Sequence, residues 1–175
     1  DIVRQKVLGR AFAPLQEAFL RRADAIVATS REYAESSQTL RAFKDKVHVI
    51  PLGIDAGNLG IEGAEEPARV LRERAGGPLV VFVGRLVYYK GLACLLEAMR
   101  GLDASLLIVG SGPLEGELKA LATQLGLGGR VLFEAVPYDR PIAPYWLAAD
   151  VAVLPSTERT EAFGLSLVEA MACGK

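Results

Sequence analysis

Apolar residues recur along this 175-residue chain with two different periods. Val3, Val7, Leu8, Ala11, Phe12, Leu15, Ala18 and Phe19 keep the spacing of one helical face, with Arg4, Lys6, Arg10, Arg21 and Arg22 among them. Pro14 lacks a donor and crowds the turn before it, so this pattern predicts two helices. Continuous apolar runs at 25–28 and 47–50 predict short buried strands, with Thr29 and Ser30 placed to cap a helix reaching about Phe43. Alternation turns His48 away from its apolar neighbours, which points to a surface or loop-packing role rather than catalysis.

After Pro51 comes a stretch rich in turn residues, Gly53, Asp55, Gly57, Asn58 and Gly60, which marks a hinge or boundary. A helix is expected around 68–74. A regular alternation follows: strands at 79–83, 105–109, 131–133 and 151–154, and helices at about 92–99, 114–125, 142–148 and 165–172. Unbroken apolar strands separated by amphipathic helices predict an α/β fold with a doubly wound parallel sheet, Rossmann-like, covered on both faces. In such sheets ligands bind at the carboxyl ends of the strands.

Three loops at those ends carry candidate chemistry. Gly84-Arg85-Leu86-Val87-Tyr88-Tyr89-Lys90-Gly91 joins a buried strand to a helix start, so a guanidinium, an ammonium and free amides converge where a diphosphate would fit. Tyr88 and Tyr89 read as loop packing. Gly110-Ser111-Gly112-Pro113-Leu114-Glu115-Gly116 resembles a dinucleotide-binding turn, with Glu134 about 20 residues on where ribose recognition would want it. Glu115 and Glu117 in the first helical turn would repel a pyrophosphate, and Pro113 suits the first position of a helix, which describes a plain tight turn equally well. Glu161 and Glu169 stand eight positions apart around Phe163-Gly164-Leu165, the turn into a helix with unpaired amides.

Composition narrows the field. A net charge of −1 and a pI near 6.0 argue against nucleic acid as the partner. Cys94 and Cys173 are too few for a disulfide framework and are expected to be reduced, buried thiols of a cytoplasmic protein. A single histidine excludes a His-based triad or a multi-histidine metal site, and no His/Asp cluster has metal-ligand spacing. No apolar run approaches the ~20 residues of a spanning helix, and charges interrupt the N-terminal apolar pattern, unlike a signal peptide. The chain is 51% hydrophobic with a mean hydropathy of +0.26, begins at Asp1 and stops at Gly174-Lys175. It is therefore expected to be part of a larger protein that covers some of this apolar surface.

The string from Glu161 through Phe163-Gly164-Leu165 to Glu169 resembles the Glu-x7-Glu motif of retaining GT-B glycosyltransferases, especially glycosyltransferase family 4. The resemblance spans nearly the whole chain and implies roles residue by residue. Glu161 would be the catalytic carboxylate by the donor sugar. The amides of Phe163, Gly164 and Leu165 would meet the sugar or phosphate, and Glu169 the ribose hydroxyls. Arg85 and Lys90, with Gly84, would hold the diphosphate, and Gly110 and Gly112 would lie close to the donor. Ala135 stands where the family usually has glycine, so the framing of the base by 134–139 departs from the pattern.

The implied organisation is a GT-B C-terminal domain at 65–175, a linker at 51–64 and, at 1–50, the tail of an N-terminal acceptor domain. The implied reaction moves a hexose, with retention, from a UDP-, GDP- or ADP-sugar to a glycan or lipid-linked saccharide, without metal or other cofactor. The chain alone is expected to bind donor without turnover. The basic amphipathic N-terminal segment suits either peripheral contact with the inner face of a membrane or a helix packed into its own lobe. Three other readings stay open: a retaining glycosidase, which would not use Arg85 and Lys90; an NAD-type Rossmann module; and a non-catalytic binding module.

Overall fold

In the computed structural model residues 6–136, 140–158, 161 and 163–175 are described. The chain divides into two units, one of residues 1–53 with 158–163, the other of residues 54–157 with 164–175.

The first unit opens with α1 (Lys6–Arg22), one helix with Pro14 inside it rather than the expected two. A proline removes one hydrogen bond and crowds one carbonyl, which is a local cost that the flanking turns tolerate. Phe12, Leu15 and Phe19 lie on its exposed surface. Lys46 Nζ donates to the carbonyls of Arg21 (2.9 Å) and Ala23 (2.8 Å), so a cation meets the unpaired carbonyls at the end of α1. Two short parallel strands follow, β1 (Ile26–Ala28) and β2 (Val47–Val49). His48 is exposed, as its place in the alternation predicts. The single helix expected between the strands is two, α2 (Arg31–Ser36) and α3 (Gln38–Arg41), because Ser37 is extended and its hydroxyl starts a new cap on Leu40 N–H. Ser30 caps α2 through Tyr33 N–H at 3.0 Å.

Leu79–Val83 (β3), Ser105–Val109 (β4), Val131–Glu134 (β5) and Val151–Ala152 (β6) form the parallel sheet of the second unit, in the order β5-β4-β3-β6. β4 is buried at every position, as a central strand covered on both faces must be. Its alternate side chains enter two cores. Leu107 and Val109 join Leu79 and Val81 beneath α4 (Glu65–Ala75), α7 (Ala143–Ala148) and α8 (Leu165–Ala172). Leu106 and Ile108 join Phe82 beneath α5 (Leu92–Met99) and α6 (Glu115–Gln124). This is the doubly wound α/β, Rossmann-like arrangement expected from the sequence. Of the turn-rich stretch 51–64, residues from Ile54 onward belong to this unit, where Leu59 and Ala64 are buried.

Strand order sets the place of a site. β4 and β5 extend the sheet on one side of β3, whereas β6 lies on the other, so the direction of strand addition reverses between β3 and β6 while all four strands stay parallel. Loops leaving adjacent strands part at such a point and open a crevice. The structure also corrects three local expectations. β6 ends at Ala152, although Val153 N–H still reaches the Val81 carbonyl at 2.9 Å. α6 starts at Glu115, leaving Pro113 in the turn before it. Cys94 is exposed, because the buried stripe of α5 runs through Leu92, Leu95, Leu96 and Met99 and misses it.

Candidate functional site

The loops after β3 and β4 are joined by backbone hydrogen bonds. Gly84 N–H donates to the Val109 carbonyl (2.9 Å), Leu86 N–H to Ser111 (2.9 Å) and Leu114 N–H to Leu86 (3.2 Å). At this separation there is no room for a side chain on Gly110, whose Cβ would stand 2.1 Å from the Gly84 carbonyl oxygen, at a φ of +136°. The same approach fixes Gly112, where a Cβ would be 2.4 Å from the Leu86 oxygen. Gly110 N–H donates to the Glu134 carbonyl at 2.8 Å. The glycine pair that resembled a dinucleotide turn is thus accounted for by loop-on-loop packing, with the Gly110 amide directed into the sheet. Glu134, the ribose candidate of that reading, is ion-paired with Arg74 at 2.7 Å.

These joined loops form one wall of a cleft of about 760 Å³. Val83, Gly84 and Arg85 line it after β3, Val109, Gly110 and Ser111 after β4, and Glu169 from α8. Of the residues named from sequence, the cleft gathers Gly84, Arg85, Gly110 and Glu169; Gly112, Lys90, Gly164 and Leu165 are outside its lining. Lys90 closes a short 3-10 turn with Tyr88 and Tyr89. Its Nζ lies 5.8 Å from the Tyr89 ring centre, and its Cε is 3.8 Å from where a Gly84 Cβ would stand, so the arm folds back toward the β3 loop. The Tyr88 and Tyr89 rings meet edge to face at 5.6 Å, which is packing.

Gly164 is the N-cap of α8 at a φ of +76°, buried, and no side chain caps the first turn of that helix. Glu161 and Phe163 group with the first unit and Gly164 to Glu169 with the second. Pro137, Tyr138 and Asp139, from the segment expected near the base, lie outside the described residues, as does Ala162 between the two glutamates.

Three further polar residues line the cleft that sequence reasoning passed over, Asp55, Asn58 and Arg140. Asp55 holds its own turn, accepting from Gly57 N–H and Asn58 Nδ2 at 3.0 Å each. That turn-rich segment read as linker, and Arg140 follows a segment without periodicity, so neither offered a signal.

Glu169 is the electrostatically unusual group of the cleft. Burial raises its carboxyl above the ordinary glutamate range, and the Trp146 indole N–H partly offsets that by favouring the charged form. Burial, then the neighbouring Glu169 charge, raises the Cys173 thiol as well. Elsewhere Asp150 is held low by Leu79 N–H (2.8 Å) and Arg72 (2.7 Å), a clamp on the start of β3. Among the described residues no three His, Cys, Asp or Glu side chains stand together as a metal site, and no helix is long and apolar enough to cross a membrane.

A nearby cation and carboxylate on one cleft, at the reversal of a parallel sheet, suit a ligand with both phosphate and hydroxyl groups. Comparison with known proteins identifies the family. Residues 64–175 match the family described as glycosyl transferases group 1, and residues 2–58 match glycosyltransferase family 4. The D-rhamnosyltransferase WbpZ of Pseudomonas aeruginosa is 40% identical over 100% of this chain and 45% of its own length. The O-antigen chain mannosyltransferase C of Escherichia coli is 40% identical over 97% of this chain and 45% of its own. The chain thus spans about half the length of the curated relatives it matches. Anabaena HepE, solved in complex with UDP and glucose, has the same fold over 100% of this chain and 49% of its own, with a TM-score of 0.81 and 25% identity. With the group 1 match covering the entire parallel sheet from α4 onward, the chain belongs to the glycosyl transferases group 1 family.

Proposed function

We propose that the second unit binds the nucleoside diphosphate of a sugar donor, and that the whole protein transfers the donor's hexose, with retention, to a glycan or lipid-linked saccharide. The observation that carries this reading is the cleft where Arg85 and Glu169 line one cavity at the carboxyl ends of the strands. A guanidinium matches phosphate oxygens through its planar fork of donors, and a carboxylate accepts from vicinal hydroxyls. Lys90, folded back toward Gly84, adds a second counter-charge. Gly84 and Gly110 contribute backbone to the wall of the same cleft. The roles of Glu161 and Phe163 rest on the motif alone: Glu161 by the donor sugar, and the amides of Phe163, Gly164 and Leu165 at the sugar or phosphate.

The chemistry follows from charge. Cleaving the bond to the anomeric carbon leaves negative charge on the departing diphosphate, and preorganised cations stabilise that charge most where water is excluded. With Arg85 and Lys90 in that place, the reaction needs no divalent ion. The Anabaena relative holds UDP, and the curated relatives transfer rhamnose and mannose by name; a UDP-, GDP- or ADP-sugar is the donor class here.

Calorimetry tests the reading with UDP, GDP and ADP against uridine, guanosine and adenosine, in chelator and then with magnesium. A diphosphate is expected to bind more tightly than its nucleoside, with no large gain from magnesium. Each charge-assisted contact is worth roughly 1.5–3 kcal/mol, so Arg85→Ala should weaken the diphosphate about tenfold or more. Equal affinity for diphosphate and nucleoside would sink it.

A further inference from the structure

Trp146 is the sole tryptophan of the chain, and at 0% exposure it is wholly buried. It lies in α7 within the core that α7 and α8 share, beside Ala143, Ala170 and Cys173. Its ring is packed, yet its Nε1–H makes no hydrogen bond, and among the described residues it is the one buried side-chain nitrogen or oxygen left so. A phenylalanine would fill such a core without burying a donor. Buried indole N–H groups normally find an acceptor, so an exception asks for a reason. Glu169 is the one carboxylate of α8; it adjoins Ala170, stands one turn before Cys173 and forms part of the cleft wall, which makes it the acceptor that α8 offers to this N–H.

We propose that Trp146 is the positioning residue for Glu169: its buried Nε1–H closes onto one oxygen of the ionised Glu169 carboxylate, with or without donor, and so fixes the rotamer that meets the ribose hydroxyls. A glutamate has several soft torsions, and an ionised carboxylate offers about four lone-pair sites. A donor rigidly held on the core side engages one of them and leaves the others facing the cleft. The indole is suited to this, because it is neutral and cannot leave its packing. The other groups bearing on Glu169 are Cys173 on its own helix and Asp55, Arg85 and Arg140 across the cleft. The inference rests on the ribose reading of Glu169, and its test separates the two.

With one tryptophan, the nitrogen-15 spectrum of the chain has a single indole N–H signal. Titrated without nucleotide, that signal should move with a midpoint above the ordinary glutamate value of about 4.3, and the movement should vanish in Glu169→Gln. A signal that stays still in the parent chain, or still moves in Glu169→Gln, overturns the contact. In calorimetry with UDP, GDP and ADP, Trp146→Phe should weaken the bound diphosphate about tenfold, and should cause no further loss in the Glu169→Gln background. Equal loss in both backgrounds makes Trp146 a packing residue only and overturns the proposal. If no diphosphate binds the parent chain, the ribose reading fails by itself, while the indole titration still decides the contact. That titration also decides it should Trp146→Phe fail to fold.

Discussion

Glu169 carries a carboxyl that burial raises, and this sets a sign for stability. A group with a raised folded value binds its proton more tightly when folded. Stability therefore falls as pH rises from about 4.3 through that folded value. At neutral pH the ionised side chain is a net cost. Glu169→Gln removes the titration, so the variant is expected to melt higher than the parent at pH 7, by a margin that shrinks toward pH 4, while binding diphosphate more weakly. Thermal unfolding at several pH values checks it; a variant that melts lower at pH 7 would contradict the burial argument. Gly110 makes the opposite case, a residue chosen for what it lacks. Gly110→Ala must push two hydrogen-bonded loops apart and strain a φ of +136°. A loss of about 3 kcal/mol in denaturant unfolding is expected, with weaker nucleotide binding because Arg85 rides on the displaced loop.

At the scale of elements, α1 keeps a proline in its interior. Pro14→Ala restores a donor to the Arg10 carbonyl and relieves the ring clash. It should stabilise the first unit, by up to about 3 kcal/mol, read as a higher denaturant midpoint by helical circular dichroism. No change would mean that the surrounding turns already absorb the defect. The sequence led to two helices here because it shows the lost hydrogen bond but not how many neighbours remain. Ser37 misled in the other direction: nothing in the apolar spacing of 31–43 marks it as a second cap. The four strands of the parallel sheet were legible, since β3 and β4 are unbroken apolar runs and their burial on both faces leaves no other use for them. From that sheet followed the loops that place Gly84, Arg85, Gly110 and Glu169 on one cleft. Asp55, Asn58 and Arg140 were not legible, because they reach it through tertiary packing of segments without a period. Trp146 gave only the signal of an apolar helix residue. Its unpaired nitrogen is a fact of geometry.

The whole molecule presents more apolar surface than its fold alone explains. Phe12, Leu15 and Phe19 are 54%, 62% and 73% exposed in the first unit, and Met171 is 70% exposed in the second. Among the described residues β6 pairs with β3 alone, through Val151 and Ala152, and Val151 is 56% exposed. The far side of β6, a two-residue strand, therefore offers a short backbone edge next to a β-branched side chain, where another chain can pair. In solution the consequence is colloidal: at rising concentration, copies of this chain should adhere edge to edge well below their melting temperature. Val151→Lys should delay the onset in light scattering without altering nucleotide affinity, and an unchanged onset would move the cause to the exposed face of α1. The strand that marks one side of the crevice would thus also set how concentrated the protein can be kept.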